Sequence, residues 1–226
     1  TKLKQILEKE ELVRELIIEE LAQISAKYGD ERKTEIVERE GEIEVEDLII
    51  EEDMVVTVSH NGYIKRNPIS LYRSQRRGGK GVTGMTTRQE DFVEHLFVAS
   101  THSHILFFTS TGKVFWQRVY ELPQAGRAAM GKAIINLLNL RPDEGLAAIL
   151  AVREFVEGKY VVMATRKGLI KKTPLMEYSR PRARGIIALN IDADDELIAA
   201  RVTDGSQDIL LGSRAGKAIR FRETEV

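Results

Sequence analysis

Residues 75 to 81 concentrate positive charge on a stretch of backbone that carries almost no side-chain bulk. They are Gln75, Arg76, Arg77, Gly78, Gly79, Lys80 and Gly81. Glycine permits positive φ angles and lets the backbone approach another surface closely, and exposed N–H groups in such turns can surround an anion. Arginine adds a planar fork that matches phosphate oxygens. The stretch therefore predicts a loop that binds phosphate groups and has little capacity to distinguish bases.

The same combination of glycine and cations recurs at two later positions. Arg127 and Lys132 lie on either side of Gly131, and three arginines precede Gly185, namely Arg180, Arg182 and Arg184. For a single loop, the simpler interpretation is a tight turn whose cations face water. Three loops in repeat register instead predict a basic belt, which suits a long polyanion better than a small ligand. We therefore expect the residues of all three loops to contact nucleic acid.

The net charge of −1 at neutral pH conceals a strong asymmetry along the chain. Residues 1–53 contain 8 Lys and Arg against 18 Asp and Glu, whereas residues 54–226 contain 26 against 17. Such asymmetry favours a polyanionic partner for the basic part, although two ordinary solvated surfaces are the alternative.

Four β-hairpins are predicted to position the basic loops. In each, a β-branched or aromatic run meets a turn glycine and continues into a strand that carries cations. The four hairpins span residues 54–66, 105–116, 160–172 and 209–220. Their turn glycines, at 62, 112, 168 and 216, lie 50, 56 and 48 residues apart, so the chain contains an internal repeat.

Further sequence features recur at similar distances from the turn glycines. A second glycine follows the turn glycine after 19, 19 and 17 residues, at 81, 131 and 185, and an acidic cluster and an apolar strand come next. Four strands per unit of about 50 residues are typical of a propeller blade. The sequence therefore predicts a mainly β, propeller-like fold of about three and a half four-stranded blades. The blades begin near residues 54, 105, 160 and 208.

The first 53 residues are predicted to be organised differently. Apolar residues at helical spacing predict one long α-helix over residues 2–28, which Gly29 ends. Residues 30–53 are strongly acidic and predict a solvated connector, with a short strand suggested by the alternation in residues 43–46. We thus divide the chain into a helix, 1–29, an acidic connector, 30–53, and a blade array, 54–226. Because residue 1 is Thr, we expect a piece of a longer chain.

Residues that could carry other chemistry are not arranged for it. Residues 126–133 match a phosphate-binding G-x-x-x-x-G-K loop, but Ala133 replaces the Ser or Thr that would bind magnesium, and no βαβ context surrounds it. The acidic run 192–196 is interpreted as a loop between blades rather than a metal site, and His102 and His104 as turn residues. Tyr178 is predicted to lie in a loop or at the rim. We expect no catalytic and no metal-binding residues in this chain.

Composition restricts the class of protein further. The chain contains no Cys, which excludes disulfides and thiolate metal sites, and this is compatible with a cytoplasmic location. It also has no apolar run of the roughly 18 to 20 residues that a membrane span requires. We therefore expect no membrane partner.

Two stretches resemble a known family. Residues 75–81 are similar to the gyrase-A box, the seven-residue signature that separates bacterial DNA gyrase from topoisomerase IV. Residues 28–36 resemble the exit of the long coiled-coil arm in the A subunits of both enzymes. Together with the repeats, the resemblance covers essentially the whole chain. It implies the end of that arm, a connector and part of the C-terminal β-pinwheel, which is a propeller-like fold.

The resemblance also implies a function. In this family the pinwheel wraps double-stranded DNA around a basic rim, so the resemblance implies that the residues of the three loops bind it. ATP-driven passage of the wrapped segment then introduces negative supercoils. The implied parent is a type IIA topoisomerase, an A2B2 heterotetramer with the gyrase B subunit, which is associated with the nucleoid in the cytoplasm. ATP and Mg belong to the B subunit, so no cofactor is expected in this chain. The topoisomerase IV counterpart and a protein-interaction propeller with a basic rim are the alternatives.

Overall fold

The computed structural model describes residues 9–30, 34, 45–72, 84–87, 90–141 and 144–226. It divides the chain into two compact units, residues 1–43 and residues 44–226. The first unit contains helix α1, Glu10–Tyr28, which lies within the predicted helix. Gly29 ends it by donating its N–H to the Ser25 carbonyl at 2.7 Å. Among the described residues, no helix is both long enough and apolar enough to cross a membrane.

The second unit consists of antiparallel β-sheets. The strands are β1 (Asp53–Ser59), β2 (Tyr63–Pro68), β3 (Val93–Ser100), β4 (His104–Thr109), β5 (Lys113–Arg118), β6 (Lys132–Ala133), β7 (Leu146–Val152), β8 (Tyr160–Thr165), β9 (Ile170–Pro174), β10 (Ile186–Ile187), β11 (Leu197–Thr203), β12 (Asp208–Gly212) and β13 (Ala218–Arg222). Among the described residues they form four sheets, ordered β3-β1-β2-β6, β10-β5-β4-β7, β11-β8-β9 and β12-β13.

Each sheet is built around one of the predicted hairpins. In the first hairpin Val56 pairs with Arg66 and Val58 with Ile64, so the strands close on the Asn61–Gly62 turn. All four turn glycines have positive φ, at 79°, 79°, 91° and 77° in chain order. Because only glycine adopts these angles without strain, the turn glycines fix the register of every hairpin.

The fourth strand of a sheet comes from the following repeat. Lys132 of β6 pairs with Ile64 of β2, and Ile186 of β10 pairs with Val114 of β5. The second and third repeats do supply four strands each, as predicted, but one of the four lies on the outer edge of the preceding sheet. The mainly β, blade-like architecture is confirmed, and the described parts of the chain place four, four, three and two strands in successive sheets.

Apolar side chains fill the spaces between neighbouring sheets. Met54, Val56 and Ile64 of the first sheet pack with Phe107 and Phe115 of the second. Burying a side chain of this size stabilises the fold by about 1.5–3 kcal/mol.

A second cluster joins the second and third sheets. Phe108 and Trp116 pack with Met163 and Tyr178. Tyr178 is only 1% exposed, so its prediction as a loop or rim residue is wrong. It lies in the 3-10 helix Leu175–Tyr178, where its ring meets Phe108 edge-on at 5.9 Å.

The acidic segment before β1 belongs to the sheet unit. Val45–Leu48 forms a 3-10 helix, so the predicted strand is wrong for residues 45 and 46, the described part of that stretch. The Glu46 carbonyl accepts from the Ile49 N–H at 3.0 Å, and the Glu46 carboxylate accepts from the Arg118 guanidinium at 2.6 Å. Further along, the Thr101 hydroxyl donates to the Ile50 carbonyl at 2.9 Å. Residues 45–53 are therefore attached to the β-sheets by hydrogen bonds and an ion pair, although most of them are exposed, including Leu48 at 75% and Ile50 at 82%.

Candidate nucleic-acid interface

The predicted DNA-binding residues divide into two groups. Gln75, Arg76, Arg77, Gly78, Gly79, Lys80 and Gly81, which we call the box loop, lie outside the described residues. Arg127, Lys132, Arg180, Arg182 and Arg184 are described, and all five side chains are exposed. Within the described part of the chain, none of the five forms an ion pair with a carboxylate. Their charges are therefore available to a partner.

The described cations occupy equivalent places on two successive sheets. Arg127 precedes the edge strand β6 of the first sheet, and Lys132 lies in that strand. Arg180, Arg182 and Arg184 precede the edge strand β10 of the second sheet. We call residues 125–131 the second basic loop and residues 179–185 the third basic loop. Both lead onto the outer edge of the sheet that precedes their own hairpin in the chain.

The regular spacing of the second glycine has a structural cause. Gly131 has φ of 84°, and a Cβ there would lie 2.4 Å from the Ile64 carbonyl oxygen. Gly185 has φ of 68°, and its Cβ would lie 2.8 Å from the Val114 carbonyl oxygen. The surface that these glycines approach is the neighbouring sheet, not a ligand. Glycine is needed where the chain crosses onto the preceding sheet.

Strand β2 holds the second basic loop from beneath. The Lys65 side chain is completely buried, and its ammonium donates to the carbonyls of Gly126, at 3.0 Å, and Arg127. The Asn67 side-chain amide donates to the Ala125 carbonyl. Burial lowers the pKa of Lys65, because the charged ammonium is less well solvated there than in water. Three consecutive carbonyls of the loop are thus bound by two side chains of one strand.

The other face of β2 is anchored to the second repeat as well. Arg66 donates to the Leu122 carbonyl through Nε, at 2.9 Å, and to the Tyr120 carbonyl through Nη2, at 3.0 Å. Sequence reasoning noted cations on the second strand of each hairpin but did not identify this role. The period of two along β2 could have separated Lys65 and Asn67 from Arg66. Their burial, however, depends on a loop that lies about 60 residues away in the chain.

A hydrogen bond connects the first and second repeats close to this loop. The Thr86 N–H donates to the Ala128 carbonyl at 3.1 Å. Met85, beside it, is 5% exposed. The chain that follows the box loop is therefore attached to the second basic loop.

Arg182 of the third basic loop lies beside an aromatic groove. Pro181, Arg182 and Ala183 line a cavity of about 220 Å³ together with His104, Trp116, Gln117, Arg118 and Glu121. The indole Nε1 of Trp116 donates to the Tyr178 carbonyl at 2.8 Å, just before the loop begins. This bond fixes the third basic loop to the second sheet.

The acidic clusters close the hairpin turns. The Asn61 and Lys167 N–H groups donate to Asp91 and Asp195 respectively, each at 3.0 Å. Burial alone would raise the pKa of both carboxyls, but these and further hydrogen bonds outweigh it, so both pKa values are lowered. Asp195 lies in the acidic run 192–196, which was interpreted above as a loop between blades rather than a metal site. Among the described residues, no group of three or more potential ligands is arranged to hold a metal ion.

The nucleotide-binding pattern at residues 126–133 does not form a nucleotide site. Lys132 and Ala133 form the edge strand β6, and the 3-10 helix Ile134–Asn136 follows. A phosphate-binding loop of that class needs a strand before it and an α-helix after it. The sequence match is therefore accidental.

Hairpin sheets that exchange an edge strand form the β-pinwheel class of fold. Two solved C-terminal domains are similar to this class. The crystal structure of the C-terminal domain of DNA topoisomerase IV has a TM-score of 0.68 and 28% identity, covering 79% of this chain and 54% of that one. The structure of the DNA gyrase A C-terminal domain has a TM-score of 0.60 and 22% identity, covering 77% and 56%.

Sequence comparison identifies the family within this class. The family model for the DNA gyrase C-terminal domain, beta-propeller, matches residues 53–100, 103–153, 159–204 and 207–226. The chain belongs to this family. The DNA gyrase A protein of Clostridium acetobutylicum is 48% identical over 99% of this chain, and that of Haemophilus influenzae is 50% identical over 98%. The chain spans about a quarter of these relatives, 27% and 25% of their lengths.

Proposed function

We propose that this chain is the DNA-wrapping part of a gyrase A protein, and that it binds the duplex backbone through its three basic loops. The observation that supports the proposal best is the placement of five exposed cations in or just before the edge strands of two successive sheets, none of them paired with a carboxylate of the described residues. The family of the chain and the names of its relatives point the same way. The box loop occupies the same repeat slot in the sequence as the second and third basic loops.

In this proposal, binding is electrostatic and depends on shape rather than on bases. Each neutralised phosphate releases counterions, so log affinity falls against log salt with a slope of about −0.9 per contact. Eight contacts, from Arg76, Arg77, Lys80 and the five described cations, would give a slope of roughly −7. Bending 20–30 base pairs costs of order 1–6 kcal/mol, so successive sheets must share the load. Contacts of this kind give weak sequence preference.

The wider assembly is proposed from the family alone. The parent would be an ATP-dependent type IIA topoisomerase, an A2B2 complex with the gyrase B subunit that acts on the nucleoid in the cytoplasm. Cleavage, ATP hydrolysis and Mg binding would belong to other parts of that complex. This chain would supply binding and curvature and no catalytic group.

Topological relaxation tests the proposal directly. A closed plasmid is relaxed in the presence of the 226-residue chain, the protein is removed, and the linking difference is measured. We expect a trapped difference of one sign that grows with protein concentration, and we expect Arg76→Ala/Arg77→Ala to abolish it. The matched control, Arg214→Ala/Lys217→Ala, removes two exposed cations from the fourth hairpin turn and should retain it.

Two results would favour other functions. Bending without a trapped linking difference would favour the topoisomerase IV alternative. No salt-dependent binding of random-sequence duplex at all would contradict the proposal and favour a propeller that grips an acidic protein.

A further inference from the structure

Three backbone carbonyls of the second basic loop point in the same direction, towards strand β2. The carbonyls of Ala125, Gly126 and Arg127 all accept hydrogen bonds from Lys65 and Asn67, which lie two residues apart on one face of β2. Gly126 also closes a turn, since its carbonyl accepts from the Ala129 N–H at 2.9 Å. Three consecutive peptide groups are therefore oriented by the same buried face.

Planarity of the peptide fixes the direction of the next three N–H groups. In a trans peptide the C=O of one residue and the N–H of the next point in opposite directions. Because the three carbonyls point towards β2, the N–H groups of Gly126, Arg127 and Ala128 point away from it. All three residues are exposed, and none of these N–H groups donates to an acceptor among the described residues.

We propose that these three N–H groups and the Arg127 guanidinium form a binding site for one phosphodiester group, with Lys65 and Asn67 as its positioning residues. Successive backbone N–H groups that converge on one side form an anion-binding concavity. Arg127, which is exposed, adds a charged fork from within the same loop. The inference rests on the proposed function, and it adds a particular backbone site and the two buried side chains that build it.

Lys65 acts from beneath the loop and not by touching the ligand. Its side chain is completely buried, and among the described residues no carboxylate is paired with it. An ammonium in this position costs desolvation free energy, which a simple packing role would not require. It satisfies two carbonyls at once and adds positive potential behind the site. Asn67 supports the third carbonyl with its side-chain amide.

The other repeats provide an internal comparison. Lys171 stands three residues after its turn glycine, as Lys65 does, but its ammonium donates to the Ala188 carbonyl at 2.7 Å. Ala188 lies beyond Arg180, Arg182 and Arg184, after the edge strand β10. The lysine at this repeat position therefore binds the basic loop itself in the first hairpin but a segment after the basic loop in the third hairpin. Lys171→Met is the matched control for Lys65→Met.

The test follows backbone amide resonances of the 226-residue chain while a short random-sequence duplex is added. We expect the N–H resonances of Gly126, Arg127 and Ala128 to shift in the wild type and to stop shifting in Lys65→Met. Duplex affinity should fall about three- to tenfold in Lys65→Met, the equivalent of one or two ordinary hydrogen bonds, and stay unchanged in Lys171→Met. The slope of log affinity against log salt should change less in Lys65→Met than in Arg127→Ala. Arg127→Ala should reduce the magnitude of this slope by about 0.9.

The outcomes separate this inference from the proposed function. If the wild type binds duplex but the three amides do not shift, or if folded Lys65→Met binds like Lys171→Met, the site is wrong and the proposed function survives. If the wild type does not bind duplex at all, the proposed function itself fails. Should Lys65→Met not fold, Asn67→Leu and the wild-type titration still decide the question.

Discussion

The indole Nε1 of Trp116 lies 2.8 Å from the carbonyl oxygen of Tyr178, and this bond joins the second and third sheets. The same relationship occurs on both sides of it. Arg66 donates to the Tyr120 carbonyl at 3.0 Å, and Lys172 donates to the Glu223 carbonyl at 2.6 Å. Each donor stands four residues after its turn glycine, and each acceptor lies in the 3-10 helix that follows the next hairpin. The side chains differ in type, yet the bond between sheets recurs.

Removing the Trp116 donor should destabilise the sheets. In Trp116→Phe the buried carbonyl of Tyr178 loses its partner, which costs about 1–3 kcal/mol. Urea denaturation followed by circular dichroism measures the loss. The control Leu169→Ala, at a side chain 51% exposed, should change stability by less than about 0.5 kcal/mol. An unchanged midpoint for Trp116→Phe would show that this bond contributes nothing.

The two glycines of the second basic loop should respond differently to alanine. Gly131→Ala places a Cβ 2.4 Å from the Ile64 carbonyl oxygen at a φ of 84°, so it should cost at least about 1 kcal/mol. Gly126→Ala meets nothing within 4 Å, so its stability should stay within about 0.5 kcal/mol of the wild type. Thermal or chemical denaturation of the pair tests this. Equal stabilities would mean that the close approach of β6 to β2 is not required.

Glu144 should make stability depend on acid. Burial alone would raise the pKa of this carboxyl, but hydrogen bonds from Thr111 at 2.5 Å, from Thr109 at 2.7 Å and from the Arg141 N–H outweigh it and hold the pKa below its ordinary value. A pKa lowered by folding means that the stabilisation is present above the unfolded value of about 4.3 and is lost as the pH falls through the folded value.

Glu144→Gln should therefore flatten the fall in stability below about pH 5, and at pH 7 it should cost about 1 kcal/mol for the weakened hydrogen bonds. Denaturation midpoints at about pH 7, 5, 4 and 3 give the comparison. Glu154→Gln, at an exposed carboxylate, should keep the acid dependence of the wild type. A Glu144→Gln profile that runs parallel to the wild type would refute the role of this carboxylate.

His104 should remain neutral until strongly acidic pH. Burial, and secondly the charge of Arg118, lower its pKa to about 4. Arg118 forms an ion pair with Glu46 at 2.6 Å, and Glu121 and Arg182 line the same groove. Because the unfolded chain takes up this proton near about pH 6.5, folding stability should decline as the pH falls from about 6.5 to about 4.

The imidazole carbon-bound protons of His104 report its pKa by NMR titration. In Arg118→Met the pKa should rise above 4 but stay below 6.5, since burial is the larger cause. Lys113→Met removes a cation from the opposite end of the same hairpin and should leave it unchanged. A wild-type midpoint near 6.5 would show that the ring is solvated.

The hairpins were predictable because local chemistry determines them. A turn glycine with positive φ and alternating apolar residues leave few other structures, and Gly62, Gly112, Gly168 and Gly216 all conform. The edge strands β6 and β10 were not predictable as partners of the preceding sheet. Each strand has two residues, which is too few to show the alternation of apolar and polar residues that predicts a strand. Its place depends on a pairing with residues about 70 positions away.

The burial of two side chains was unpredictable from the sequence for a similar reason. Tyr178 and Lys65 look like surface residues by type and by local sequence, and both are buried by residues from another repeat. Arg127, Arg180, Arg182 and Arg184, the cations of the second and third basic loops, are exposed, as arginines in glycine-containing loops usually are. Their contact with DNA stays a prediction.

The exchange of edge strands offsets the repeat in the sequence from the sheet in space. Cutting the chain at a sequence boundary, for example before residue 105, would leave the first sheet without Lys132 and Ala133. A blade therefore cannot be excised, duplicated or transplanted as a self-contained cassette. Protein engineers who wish to shorten or lengthen the array would have to move the hairpin of one repeat together with the edge strand of the next.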